Sequence, residues 1–140
     1  MEDLKLLKIM GKDSDDLTIL SACLQDSLVP LKEIQYNKDQ KQFVLLVNRY
    51  RWEEKEAPER GRRVHAALLF DCVTKAQFTG IDLTPLSSPD LSLLSLHYDA
   101  PHVFITFSQK ASIRLEVENL KVKLRDSNLA WPAKTPVHPF

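Results

Sequence analysis

The sequence predicts an α+β domain: a mainly antiparallel sheet of six to seven strands, curled or partly closed into a barrel, with one N-terminal helix. Three patterns support this prediction. A segment before Pro30 has leucines at helical spacing. After Pro30 the apolar residues fall into short runs separated by turn-forming residues. Near the C-terminal end the apolar positions switch from odd to even numbers, which is typical of a strand that bulges or bends.

The helix is predicted to begin within Asp13–Asp16. Asp and Ser side chains accept the free amide hydrogens of a first helical turn, and carboxylates suit the positive end of the helix dipole. The apolar stripe comprises Leu17, Leu20 and Leu24, widened by Ile19 and Cys23. Pro30 has no amide hydrogen to donate, so the helix is expected to end before it.

Seven strand-like segments are expected. They are Leu4–Ile9, Leu28–Tyr36, Phe43–Val47, Val64–Phe78, Leu91–Tyr98, His102–Phe107 and Ile113–Leu124. Phe43–Val47 is apolar on both faces, which is typical of a strand covered above and below. Val64–Phe78 is long for one strand, so a bend is expected near Thr74-Lys75. Asp99-Ala100-Pro101 has the composition of a hairpin turn.

The last of these segments carries the parity switch. Ile113, Leu115 and Val117 occupy odd positions, whereas Leu120, Val122 and Leu124 occupy even ones. One face cannot stay buried through such a change unless a residue is inserted, so we expect a bulge or sharp bend at Glu118-Asn119. The prolines beyond it exclude regular structure. The domain is therefore expected to cover residues 1–125, with a Pro-rich tail at 126–140.

Composition narrows the possible functions. The chain has 140 residues, enough for one self-sufficient core, with 44% hydrophobic and 27% charged residues. Nineteen basic and nineteen acidic residues give a formal net charge of zero, so binding to nucleic acid or to an anionic membrane would need a local patch. A neutral chain also self-associates more readily. Two cysteines, no export-like N-terminus and no long apolar run predict a cytoplasmic protein without a membrane partner.

The candidate binding site lies where two apolar segments meet a charged loop. If these segments pair as a hairpin, basic and aromatic side chains gather at one end of the sheet. They are Arg49, Tyr50, Arg51, Trp52, Arg62, Arg63 and His65. Arginine binds phosphate or carboxylate through bidentate hydrogen bonds, and aromatic rings stack on bases. Four glutamates in the same loop offer the alternative of ordinary surface ion pairs.

Other residues that could carry chemistry are weaker candidates. His97 and His102 flank the expected hairpin turn and could share a metal, but a third ligand is missing. Cys23 lies on the apolar stripe of the helix and Cys72 shares the parity of the apolar residues Val64–Phe70, so both are expected in the core. No glycine-rich phosphate loop occurs. The sequence therefore predicts no catalytic residue, no metal site and no cofactor. An enzyme whose catalytic groups come together from distant segments is the alternative that this pattern leaves open.

Several segments together resemble a known family. They are LQDSL (Leu24–Leu28), Ile34-Gln35-Tyr36, FVLLVNRYRWE (Phe43–Glu53), RRVHAALLFD (Arg62–Asp71) and the C-terminal stretch from Ala111. The chain resembles the uncharacterised family called domain of unknown function 2948, found mainly in alphaproteobacteria, over nearly its full length. The resemblance implies a small bacterial cytoplasmic protein and includes Asn48–Trp52 in the family pattern. It implies no activity, cofactor or catalytic residue.

Two functions follow as expectations. The first is a non-catalytic interaction module that binds a protein partner or self-associates, because arginine and aromatic clusters are enriched in binding hot spots. The second is a binder of a phosphate-bearing ligand or nucleic acid through the hairpin end, with affinity that falls steeply with salt.

Overall fold

A computed structural model describes residues 8–50, 63–81 and 90–126. The elements in these ranges are one helix, one 3₁₀ turn and ten strands. They are β1 (Lys8–Gly11), α1 (Ser14–Leu24), β2 (Leu28–Val29), the 3₁₀ turn (Leu31–Glu33), β3 (Ile34–Asn37), β4 (Gln42–Tyr50), β5 (Arg63–Phe70), β6 (Val73–Thr79), β7 (Leu91–Asp99), β8 (His102–Phe107), β9 (Ser112–Val117) and β10 (Val122–Asp126). The antiparallel sheet with one helix confirms the predicted fold class. The strand number exceeds six to seven because several expected strands are divided.

Helix α1 begins as predicted. The Asp13 carboxylate accepts a hydrogen bond from the Asp16 amide at 2.9 Å, so it caps the first turn. Leu17, Leu20 and Leu24 are the residues that α1 buries. The expected widening of this stripe is only partial, because Cys23 is half-buried whereas Ile19 is 55% exposed.

The strands form one antiparallel sheet. Its order is β1-β10-β5-β4-β2-β7-β8-β9-β6, and β3 pairs with β4 beside this path. The predicted strand Leu28–Tyr36 is present as β2 and β3, which both pair with β4. The 3₁₀ turn after Pro30 separates them, because proline has no amide hydrogen for a ladder.

Two continuous corners fold the sheet on itself. At one corner β5 leads into β6 through Asp71 and Cys72, and at the other β9 leads into β10 through residues 118–121. The corners are hydrogen-bonded together, since the Asp71 amide donates to the Lys121 carbonyl and the Glu118 amide to the Cys72 carbonyl, both at 2.9 Å. The bend predicted at Glu118-Asn119 is confirmed. The bend expected near Thr74-Lys75 is confirmed, because the register between β6 and β9 shifts between Val73 and Lys75. The strand expected at Val64–Phe78 is also broken at Cys72, whose φ of 60° interrupts the ladder.

The folded sheet encloses a single core. Its members come from α1, from both halves of the sheet and from the corners, and include Leu17, Leu20, Phe43, Leu45, Leu68, Phe70, Ile105, Ile113, Leu115 and Leu124. The helix packs mainly on β7, and the Ser21 Oγ accepts a hydrogen bond from the Leu96 amide at 3.0 Å. Each fully buried leucine contributes about 1.5–3 kcal/mol relative to an exposed one, so α1 is anchored chiefly by its three leucines.

Several expectations fall partly or wholly outside the described ranges. They are the first part of the strand Leu4–Ile9, the loop after Trp52 and the tail beyond Asp126. Asp126 itself, assigned above to the tail, is the last residue of β10 and is buried. In the part of the chain that is described, no helix is long and apolar enough to cross a membrane.

Candidate interaction surface

The hairpin expected between β4 and β5 is present. The two strands pair from Phe43 with Phe70 to Tyr50 with Arg63, and Asn48 lies opposite His65. Regions near positions 50 and 63 are thus cross-strand neighbours. Arg51, Trp52 and Arg62 lie outside the described residues, so the structure places only the backbones of Tyr50 and Arg63 and the side chains of Arg49 and His65.

Arg49 lies in the interior and not on the surface. Its Nε donates to Asp126 Oδ1 and its Nη2 donates to Asp126 Oδ2, both at 2.9 Å. The side chains of both residues are 0% exposed. The guanidinium is therefore occupied by a carboxylate of the same chain, and the proposed grip of Arg49 on an external anion is replaced by an internal ion pair.

The register of three strands explains this pair. Asp126 lies opposite Ala66 on β5, and Arg49 lies opposite Val64 on the other side of β5. Both charged side chains point inward and meet across β5. The burial follows strand alternation, because Arg49 continues the buried series Phe43, Leu45 and Val47, and Asp126 continues Val122 and Leu124. The pairing of Arg49 with Asp126, 77 residues away along the chain, was not predictable from the spacing of residues in the sequence.

The opposite, outward face of the β4–β5 pair is unexpectedly apolar. Val44 and Leu46 on β4 and Ala67 and Leu69 on β5 occupy positions that alternate with buried core residues. Leu46 is 38% exposed, and the other three are half-buried. An antiparallel sheet with one solvated face normally alternates apolar-in with polar-out. Phe43–Val47 was expected to be covered on both sides, and in the described structure its outward residues remain accessible.

Cations border this apolar patch. Two rows of paired residues cross from β1 through β10 and β5 to β4. One row is Lys8, Arg125, Ala67 and Leu46, and the next is Met10, Lys123, Leu69 and Val44. Met10 is 64% exposed at the edge. We call these eight residues the outer face; it contains three cations and no carboxylate. Among the described residues, none of the three cations has an ion-pair partner.

His65 and Asn48 lie at the hairpin end of this face. They are opposite each other in the register, and both are half-buried. Both residues take part in interactions within the chain. His65 is therefore held in place next to the outer face. Among the basic residues proposed for the hairpin end, it is the one with a side chain that the structure describes on the outward side.

The remaining candidates form no reaction centre in the described ranges. The imidazoles of His97 and His102 pack against the ring of Phe104, with centroid separations of 6.2 and 6.0 Å. Within residues 8–50, 63–81 and 90–126 no group of three or more metal-ligating side chains comes together. Cys23 and Cys72 are free thiols. Both were expected in the core; both are half-buried, and Cys72 lies in the β5–β6 corner.

Comparisons with known proteins match the chain to a family of unknown function. The family model described as "Protein of unknown function (DUF2948)" matches residues 7–139. No curated protein matches the chain. An uncharacterized protein from Neisseria gonorrhoeae, known from a crystal structure, is similar at 10% sequence identity over 83% of this chain and 96% of that chain, with a TM-score of 0.39. A likeness at that level supports no functional argument.

Proposed function

The chain belongs to the DUF2948 family, and from the geometry of its own sheet we propose that it is a non-catalytic interaction module whose outer face docks a protein surface. The docked surface belongs either to another protein or to a second copy of the chain. We further propose that it acts in the bacterial cytoplasm, which two free thiols support.

The exposed apolar residues of the outer face carry this proposal. Leu46 and Met10 are 38% and 64% exposed, and Val44, Ala67 and Leu69 fill the space around Leu46. Scattered surface leucines are ordinary, but a contiguous apolar patch with a polar border marks an interaction site in most soluble proteins. The border here is cationic, so a docking partner with acidic groups around an apolar centre fits it best.

The hairpin end extends the proposed surface. Tyr50, Arg51, Trp52, Arg62 and Arg63 remain proposed contacts, because Tyr50 and Arg63 end the two strands whose outward residues form the patch. His65 remains one as well, directly beside them. Arg49 takes a different role in this proposal: its ion pair with Asp126 holds the last residues of β4 and β10 in place beneath the surface.

A site-specific photo-crosslinker tests the proposal. With a photoreactive amino acid at Leu46, irradiation in living cells is expected to give a covalent adduct with another polypeptide. The matched control carries the same group at Thr106, an exposed position on β8 outside the outer face. An additional Lys123→Glu substitution should reduce the adduct at Leu46, because it removes a cation from the border. Absence of any adduct at Leu46 beyond the Thr106 control would contradict the proposal.

A second candidate function rests on the border cations, which have no ion-pair partner among the residues that the structure describes. Lys8, Lys123 and Arg125 could instead contact phosphates, alongside the proposed hairpin-end residues Arg51, Arg62, Arg63 and His65. Titration with a fluorescent single-stranded oligonucleotide at several salt concentrations tests this. Phosphate binding requires a linear fall of log affinity with log salt, with a slope close to the number of contacts. Unmeasurable binding at low salt removes this candidate.

A further inference from the structure

We propose that the occupant of the outer face is the outward side of helix α1 from a second copy of the same chain. This inference rests on the proposed function and names the partner for that surface. The proposed contact joins two different surfaces, so each copy has both an outer face and an outward side of α1 that can take part in it.

The outward side of α1 is acidic around an apolar centre. Asp15, Ile19 and Ala22 are exposed and lie at spacings of four and three residues, which places them on one side of the helix. Ile19 is 55% exposed, although the same helix buries its leucines fully. Asp26, directly after the helix, is exposed as well. The first turn is acidic, and the last turn contains no basic residue.

The two surfaces match in charge and in pattern. The outer face has Leu46 and Leu69 beside the cations Lys123 and Arg125, whereas the helix side has Ile19 beside carboxylates. Opposite potentials across an interface steer association and fix its register. Because the chain is neutral as a whole, no net repulsion opposes the approach of a second copy.

The dimensions of the two elements also agree. A helix with its side chains is about 10 Å across, and neighbouring strands are about 4.8 Å apart. A helix that crosses the strands with Ile19 over β5 therefore places Asp15, one turn or about 6 Å along its axis, over β10, the next strand. Lys123 and Arg125 are the outward residues at that position. A contact made once between unlike surfaces is heterologous and generates rings or open chains of copies, whereas the same contact made in both directions closes a two-fold dimer.

Two double variants, each defective in one surface, test the inference. The sheet variant is Lys123→Glu/Arg125→Glu, and the helix variant is Ile19→Lys/Ala22→Lys. All four positions are at least partly exposed, and lysine suits a helix, so both variants should keep the urea midpoint of the wild type. Sedimentation equilibrium is expected to show wild-type self-association that weakens with salt, and roughly hundredfold weaker association for each variant alone.

Mixing the variants gives the decisive result. The sheet variant retains an intact helix side and the helix variant retains an intact sheet face, so an equimolar mixture should form a 1:1 heterodimer and nothing larger. A mixture that remains monomeric overturns the inference, as does a wild type that is monomeric at every concentration.

The outcomes separate this inference from the proposed function. If the adduct at Leu46 contains a different protein, or maps to a region of a second copy other than α1, the inference is wrong and the docking function stands. If neither adduct nor self-association is found, both fail. An adduct within one chain, recognised by its unchanged mass, also overturns both, because the outer face would then be covered by its own polypeptide.

Discussion

Loss of one member of the buried Arg49–Asp126 pair should destabilise the fold strongly, whereas replacing both by apolar residues should not. Each side chain is 0% exposed, and the two hydrogen bonds are 2.9 Å long, so each charge is compensated only by the other and by its neighbours within the chain. Removing one partner of such a pair typically costs about 3–5 kcal/mol, because the other charge stays buried without compensation. This is a large share of the roughly 5–15 kcal/mol that stabilises an ordinary domain.

Urea denaturation of Arg49→Met, of Asp126→Leu and of the double variant measures this effect. With a slope of about 2 kcal/mol per molar urea, each single variant should lower the midpoint by roughly 1.5–2.5 M. The double variant should lie within about 1 kcal/mol of the wild type or above it, since apolar side chains often replace a buried ion pair without loss. The two substitutions are then strongly non-additive, as expected for groups in direct contact.

A matched control comes from the exposed pair between Lys41 and Glu118. Their side chains are 49% and 51% exposed, although their separation of 2.8 Å is as short as that of the buried pair. Glu118→Gln should leave the midpoint nearly unchanged, because solvent screens such pairs. The reasoning is refuted if Arg49→Met leaves the midpoint unchanged, or if the double variant loses the sum of the two single losses.

Three further predictions concern the framework. Asp13→Ala should lower the free energy of unfolding by about 1 kcal/mol in urea denaturation, through loss of the helix cap. Gly80→Ala should cost about 2 kcal/mol or more in the same assay, because φ is +71° and an added Cβ would lie 2.5 Å from the Lys110 carbonyl oxygen. The hydrogen bond and negative charge of Glu118 raise the pKa of Lys41 above 10.5, so the stability they contribute is fully present below 10.5 and is lost as pH rises through the raised pKa. Urea midpoints measured from about pH 9 to about pH 11 should therefore fall slightly more for the wild type than for Glu118→Gln, and high salt should abolish the difference.

Local patterns in the sequence predicted much of the fold. The cap at Asp13 and the leucine stripe of α1 act within one or two helical turns, so residue spacing alone describes them. The parity switch after Val117 likewise reports a local event, the β9–β10 corner. For the partner corner, the length of Val64–Phe78 predicted the bend near Thr74-Lys75 but not the break at Cys72, because Cys72 continues the parity of Val64–Phe70 and the break comes from a positive φ there.

The candidate site was predicted only in part, and the reason is long-range packing. Alternation on β4 placed Arg49 and Arg51 on one face but could not tell which face was inside. The inward choice depends on Asp126, 77 residues away, which supplies the only carboxylate placed to accept the guanidinium among the described residues. Similarly, a run that is apolar on both faces indicates a covered strand, and the sequence does not show whether the cover comes from the same chain or from a partner.

Nuclear magnetic resonance during dilution tests most directly whether the outer face is a docking surface for a second copy. Backbone amide signals of a labelled sample would be followed from the highest attainable concentration downward. The account predicts concentration-dependent shifts that cluster on β4, β5 and β10 around Leu46, Leu69 and Lys123, and separately on α1 around Ile19. Spectra that stay constant over the whole range, or shifts confined to β6 and β8, would contradict it.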